Sequence, residues 1–145
     1  SESGQKLGDF PTVFLVRKKT INNILVALRK GRMYACRARY PQQIILKEFS
    51  IHSSESKRKA TLGDEIVLKS YPQIRISLAL KKPVKNRVKV RLIRAGKLIK
   101  TFNGPLPMKI DFEDNYLKPG QKIYYRIDAK GLGILVSNPI FVNFE

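Results

Sequence analysis

Few residue types in this chain could carry covalent or proton chemistry. His52 is the single histidine and Cys36 the single cysteine. His52 lies four residues after Glu48 and three before Glu55, close enough in sequence for an imidazole and a carboxylate to share a proton. Ser50, His52 and Asp64 have the residue types of a nucleophilic triad, but no G-x-S-x-G turn flanks Ser50 to expose a nucleophile. The plainer reading of His52 is an exposed histidine at a strand end. Asp111, Glu113 and Asp114 form an acidic cluster that could offer oxygens to a hard cation. It lacks the glycine and spacing of a calcium loop, so an acidic turn before Asn115 is the expectation. Cys36 reads as a small core residue, although cationic neighbours could lower its thiol pKa. Most zinc sites and general-base mechanisms draw on several histidines or cysteines. The chain is therefore expected to hold no catalytic residues, no metal site and no cofactor, and is read as not an enzyme.

Charge is the stronger signal. Lysine and arginine total 29 against 11 acids, a formal net charge of +18. From Arg17 to Lys47 there are nine basic residues and no acid, and the same holds from Lys81 to Lys100. Arg37 and Arg39 would share one strand face, and Arg87, Lys89 and Arg91 another. Like charges on one face repel, which costs stability unless an anion is near. One reading is a surface for an anionic ligand or nucleic acid, with Tyr34, Tyr40, Tyr71, Tyr116, Tyr124 and Tyr125 available for stacking. The plainer one is a solvated basic surface, or one facing an acidic domain, because no nucleic-acid motif accompanies these residues. The candidate anion-binding or docking residues are Arg29, Arg32, Arg37, Arg39, Arg87, Lys89 and Arg91. Gly31 and Arg32 do not form a phosphate loop, since such loops precede a helix.

The elements that must position these residues are mostly strands. Residues 10–16 read as a short buried strand. A helix follows, with Thr20 as N-cap, Ile21, Ile24, Leu25 and Leu28 as an apolar stripe, and Gly31 at the left-handed position after it. That stripe is expected to cover an end or face of the β-structure, or to drive self-association. Arg29 and Arg32 are expected to anchor the helix. The apolar period then becomes two residues. It runs through Tyr34, Cys36, Ala38 and Tyr40, and less cleanly through Ile45, Lys47, Phe49 and Ile51. It recurs at Ile74–Leu80, Val88–Leu92, Met108–Phe112 and Ile123–Ile127. Ala95-Gly96 predicts a tight hairpin and Pro119-Gly120 a type II turn. The Lys130–Gly133 segment predicts a link between strands, and Pro139 a break. His52–Ala60 reads as a loop. The expected architecture is mainly β, an antiparallel immunoglobulin-like β-sandwich with one N-terminal α-helix.

At 145 residues the chain fits one domain. A 43% hydrophobic content excludes a disordered basic tail. One cysteine permits no internal disulfide, and no apolar run is long enough to span a membrane, so no membrane partner is expected. The chain reads as a piece of a longer protein. Residues 1–8 are expected to be flexible or an appended remnant, 9–33 a strand and helix, and 34–145 the β-sandwich.

Three stretches occur together: Pro11–Val16 with Ile24–Ala35, then Arg87–Lys97, then Ile123–Asp128 with Ser137-Asn138-Pro139-Ile140-Phe141-Val142. Their order resembles the C-terminal region of PHP-type (polymerase and histidinol phosphatase) metal-dependent phosphoesterase-like proteins. The resemblance implies that residues 9–33 are the last strand and helix of a catalytic barrel and that the rest is an accessory domain packed on it. The partner would then be an upstream PHP-type catalytic domain in the same parent chain, toward which the basic surface could steer anionic substrate. The family's metal ligands lie upstream of this helix, so none is carried onto this chain. A cytoplasmic location is expected from the lone cysteine and the resemblance, the alternative being a signal sequence upstream. The alternative is an independent basic module that binds nucleic acid or another polyanion.

Overall fold

Twelve strands and one helix form in the computed structural model, which describes residues 11–37, 43–82 and 85–145. In chain order they are β1 (Thr12–Phe14), α1 (Ile21–Lys30), β2 (Met33–Arg37), β3 (Ile44–His52), β4 (Lys59–Thr61), β5 (Glu65–Leu68), β6 (Gln73–Leu80), β7 (Arg87–Arg94), β8 (Lys97–Pro105), β9 (Met108–Glu113), β10 (Lys122–Lys130), β11 (Ile134–Ser137) and β12 (Ile140–Phe144). The chain is thus mainly β, with two largely antiparallel sheets. The smaller sheet has the order β4-β3-β6-β9. The larger is built around β10, which pairs with β7, and β7 in turn with β8.

The other side of β10 is shared. Its first half pairs with β12, from Lys122 to Tyr125, and its last residues with β11, from Asp128 to Lys130. Beyond β11 lie β2 and β1, and beyond β12 lies β5, paired in parallel. Between the two stretches, the Ile127 amide donates to the Ser137 hydroxyl at 2.9 Å. The inward residues of both sheets share one core. Phe49, Ile51, Ile74 and Ile76 come from the smaller sheet; Val90, Leu92, Tyr125 and Ile127 come from the larger. Alternation at a period of two selects these residues and sends their neighbours to the outer faces.

Turn chemistry follows the expected rules. Ala95 and Gly96, both at positive φ (46° and 81°), make a two-residue primed turn between β7 and β8. Gly120 at φ 88° completes the turn from Lys118 to Gln121. Helix α1 begins at Thr20, whose hydroxyl accepts from the Asn23 amide, and ends on Gly31 in the left-handed conformation. The Gly31 amide bonds to the Leu28 carbonyl and the Arg32 amide to the Ala27 carbonyl, so the last turn is closed. Gly63 then lies against this end so tightly that a Cβ there would be 1.6 Å from the Lys30 carbonyl oxygen.

Several expectations differ from the structure. The helix stripe does not cover the sheets: Ile21 is 78% and Leu28 52% exposed, Leu25 is exposed too, and Ala27 is the buried residue of the helix. The contact is made by the helix C-terminal end, where Ala27 is buried and Gly63 packs against the Lys30 carbonyl. On β3 a bulge between Leu46 and Glu48 inserts one residue, so Ile44 and Leu46 face inward before it and Phe49 and Ile51 after it. The anticipated row beginning Ile45 and Lys47 therefore changes face part-way. The acidic turn is a strand instead: Asp111 and Glu113 belong to β9, while Asp114 turns inward and is fully buried. The loop expected at His52–Ala60 is shorter, since β4 begins at Lys59. Ala38, Arg39 and Tyr40 lie outside the described residues, as do residues 1–8. The boundary expected between residues 33 and 34 falls inside β2, whose Met33 pairs with Phe14 of β1.

Candidate functional site

Two of the three triad residue types meet, Ser50 and His52, and Asp64 does not join them. On the outer face of the smaller sheet, Glu48, Ser50 and His52 project side by side from β3. The Ser50 hydroxyl donates to Glu48 Oε1 at 2.7 Å and lies 2.9 Å from His52 Nε2. Lys59 Nζ is 3.0 Å from the same Glu48 oxygen. Burial raises the Glu48 pKa, but the Ser50 and Lys59 hydrogen bonds and the nearby Lys59 and Arg75 charges outweigh it, leaving the carboxyl below its usual 4.5. Ser50 is fully buried and its proton is committed to Glu48. Asp64 lies elsewhere, accepting from the Thr61 amide and facing Arg32 at 3.5 Å. This is a held polar row, without a nucleophile open to substrate.

The acidic cluster is also divided. Asp111 pairs with Arg75 at 2.9 Å and Glu113 accepts from Gln73. Asp114 receives the Arg94 guanidinium at 2.6 and 2.8 Å and the Tyr125 hydroxyl at 2.6 Å. Burial, then the bond to Asp114 and its charge, push the Tyr125 phenol well above its ordinary 10.0. Cys36 is buried, and desolvation raises its thiol despite a hydrogen bond from Gln43, so it is not poised as a thiolate. Among the described residues no group of three or more His, Cys, Asp or Glu side chains could hold a metal ion.

The cationic candidates fall into two places. Arg29 and Arg32 sit at the end of α1, where Arg32 faces Asp64. Asn138 Nδ2 donates to the Gly31 carbonyl at 3.0 Å, and the Gly63 amide donates to the Pro139 carbonyl at 2.8 Å. The Arg29–Arg32 and Ser137–Pro139 stretches, distant in sequence, are thereby joined. Arg37, Arg87, Lys89 and Arg91 belong to the larger sheet, and Arg39 lies outside the described residues. On β10, Tyr124, Arg126, Asp128 and Lys130 alternate with the buried Tyr125, Ile127 and Ala129 and so point outward. Register sets Arg91 opposite Asp128, and Lys89 opposite Lys130. Arg91 closes a two-pronged pair on Asp128 at 2.6 and 2.8 Å, which holds its guanidinium charged. Of the tyrosines considered for stacking, Tyr34 and Tyr125 are buried, and Tyr71 stacks on Phe144 with centroids 5.7 Å apart. Tyr124 instead lies on the outer side beside Phe141, with centroids 6.4 Å apart.

No family model, curated protein or solved structure matches this chain.

Sequence reasoning missed Arg126, Asp128 and Lys130. Their alternation with buried neighbours on β10 was the available signal. It also missed Gly63, which no local pattern distinguishes from an ordinary turn glycine. No helix among the described residues is long and apolar enough to cross a membrane.

Proposed function

We propose that this chain is a non-catalytic accessory domain that packs through α1 against a catalytic domain. The carrying observation is the helix itself: it is firmly capped and anchored at its C-terminal end, yet Ile21, Leu25 and Leu28 remain exposed. An apolar stripe on a fixed helix is an interaction surface awaiting a cover. The occupant we assign is a PHP-type hydrolase barrel encoded upstream in the parent chain. The resemblance carried by Arg29–Arg32 and Ser137–Val142 supports this, as does the Asn138–Gly31 bond that joins those stretches. Metal chemistry would belong to that barrel, and no step is assigned to residues of this chain.

The finer architecture we propose is the immunoglobulin-like sandwich. The adjacent strands β3, β6 and β9 correspond to strands A, B and E of that fold, and β7, β10 and β12 to C, F and G, with β8 as an added edge strand.

The test is to express the chain joined to the sequence encoded upstream, and to substitute Ile21→Ser and Leu25→Ser together. The expected result is slow amide exchange over Ile21–Leu28 only in the joined protein, lost in the double variant. An upstream sequence without histidine and aspartate metal motifs would overturn the hydrolase assignment. Equal exchange of the helix amides with and without that sequence would overturn the docking.

A further inference from the structure

The outer face of the larger sheet combines cations with the exposed Phe141 and the half-buried Tyr124 on one side, independently of α1. Along β10 the outward row runs Tyr124, Arg126, Asp128, Lys130. One strand away Phe141 lies opposite Tyr124, and on the other side Lys89 lies opposite Lys130. Arg87 follows Lys89 at the next outward position of β7. Among the described residues Arg87, Lys89 and Lys130 make no ion pair. Asp128 is taken by Arg91, with Arg126 at 3.8 Å. Two lysines set directly opposite each other destabilise a strand pair unless an anion lies between them. A shallow depression of about 420 Å³ lies over this point, lined by Lys89, Arg91, Asp128, Lys130, Ile134 and Val136.

We propose that this face is a platform for single-stranded nucleic acid. Bases stack on Tyr124 and Phe141, and the phosphates run along Arg126, Lys130, Lys89 and Arg87. From Tyr124 to Lys130 the strand spans about 20 Å, room for about four nucleotides, the lower end of single-strand site sizes. Ring faces beside a cationic track suit unpaired bases. An acidic protein surface would use the cations and leave the rings idle, and paired bases in a duplex could not reach them. The electrostatic part works by counterion release, so affinity must fall as salt rises.

The experiment is fluorescence anisotropy of the 145-residue chain with a labelled oligothymidylate of about 12 nucleotides. Binding is expected at about 50 mM salt, with log affinity falling by about 2–3 per tenfold rise in salt for four phosphates. Tyr124→Ala and Phe141→Ala should each weaken binding about 5- to 100-fold. Lys89→Gln and Lys130→Gln should each reduce the salt slope by about 0.7. Lys97→Gln and Lys100→Gln, which remove the same charge from the β8 edge, should have less effect than the Lys89 and Lys130 pair. Unchanged unfolding midpoints show that these outward variants still fold. No binding at about 50 mM salt overturns the proposal. It is equally overturned if Tyr124→Ala and Phe141→Ala both leave affinity unchanged, or if a duplex or poly-glutamate competes as well as unlabelled oligothymidylate, since either result reduces the face to general attraction.

Discussion

Asp114 is a carboxylate with no exposed surface, and it survives there because Arg94 and Tyr125 both bond to it. Removing one partner of such a buried pair leaves the other charge without compensation. Asp114→Ala is therefore expected to cost about 3–5 kcal/mol in urea unfolding, and Tyr125→Phe about 1–2 kcal/mol. Tyr125 also sets an alkaline limit. Its folded pKa is raised above 10.0, as is that of Tyr34, where burial is the leading cause. Below 10.0 both states hold these protons and the full contribution is present; above it the unfolded chain ionises first and stability falls. Unfolding midpoints should decline above about pH 10, less steeply in Tyr125→Phe. Glu48 acts with the opposite sign. Its lowered pKa gives stability above 4.5 that is lost as pH falls through the folded value. Ser50→Ala should flatten that acid limb. At this scale the sequence was partly legible. Glu48, Ser50 and His52 sit at spacing two and so share a face of a strand. Nothing near Asp114 in sequence distinguishes it from Asp111 and Glu113, because its partners arrive from β7 and β10.

Helix α1 shows what local rules do and do not determine. Thr20, Gly31 and the closed last turn were readable because caps depend on nearest neighbours. Which side the helix buries depends on where it attaches, and Gly63 decides that. A Cβ at Gly63 would overlap the Lys30 carbonyl, and its φ of 80° disfavours any other residue. Gly63→Ala is expected to cost about 2–4 kcal/mol and to detach the helix end, seen as faster exchange at Arg32 and as lost helical circular dichroism. Leu25→Ser, by contrast, should change the stability of this chain by less than about 0.5 kcal/mol, because the side chain is exposed. The bulge in β3 was illegible for a related reason. The residues Leu46-Lys47-Glu48 carry no glycine or proline, and only pairing with β6 shows that one residue is extra.

Across the whole molecule, the excess of cations is distributed by the strand alternation that builds the core. On β7 the inward Val88, Val90 and Leu92 bring Arg87, Lys89 and Arg91 to the surface. The two-sheet class was therefore readable from period alone. The meeting of β7 with β10, and of Lys89 with Lys130, required the register. The parallel pairing of β5 with β12 joins residues far apart in the chain and has no local signature. The divided side of β10 has a consequence for motion. The β11–β2–β1 branch and the β12–β5 branch are held by different stretches of one strand, and the contacts of Gly63 and Asp64 with Lys30 and Arg32 are what couple their opening. Hydrogen exchange at Leu135 and at Val142 should report two separate opening energies. The Ser137 hydroxyl, bonded to the Ile127 amide, ties the end of β11 to the spine strand β10. Without it, in Ser137→Ala, the β11 branch should exchange faster while Val142 keeps its protection. The larger sheet would then behave as two hinged leaves on a common spine.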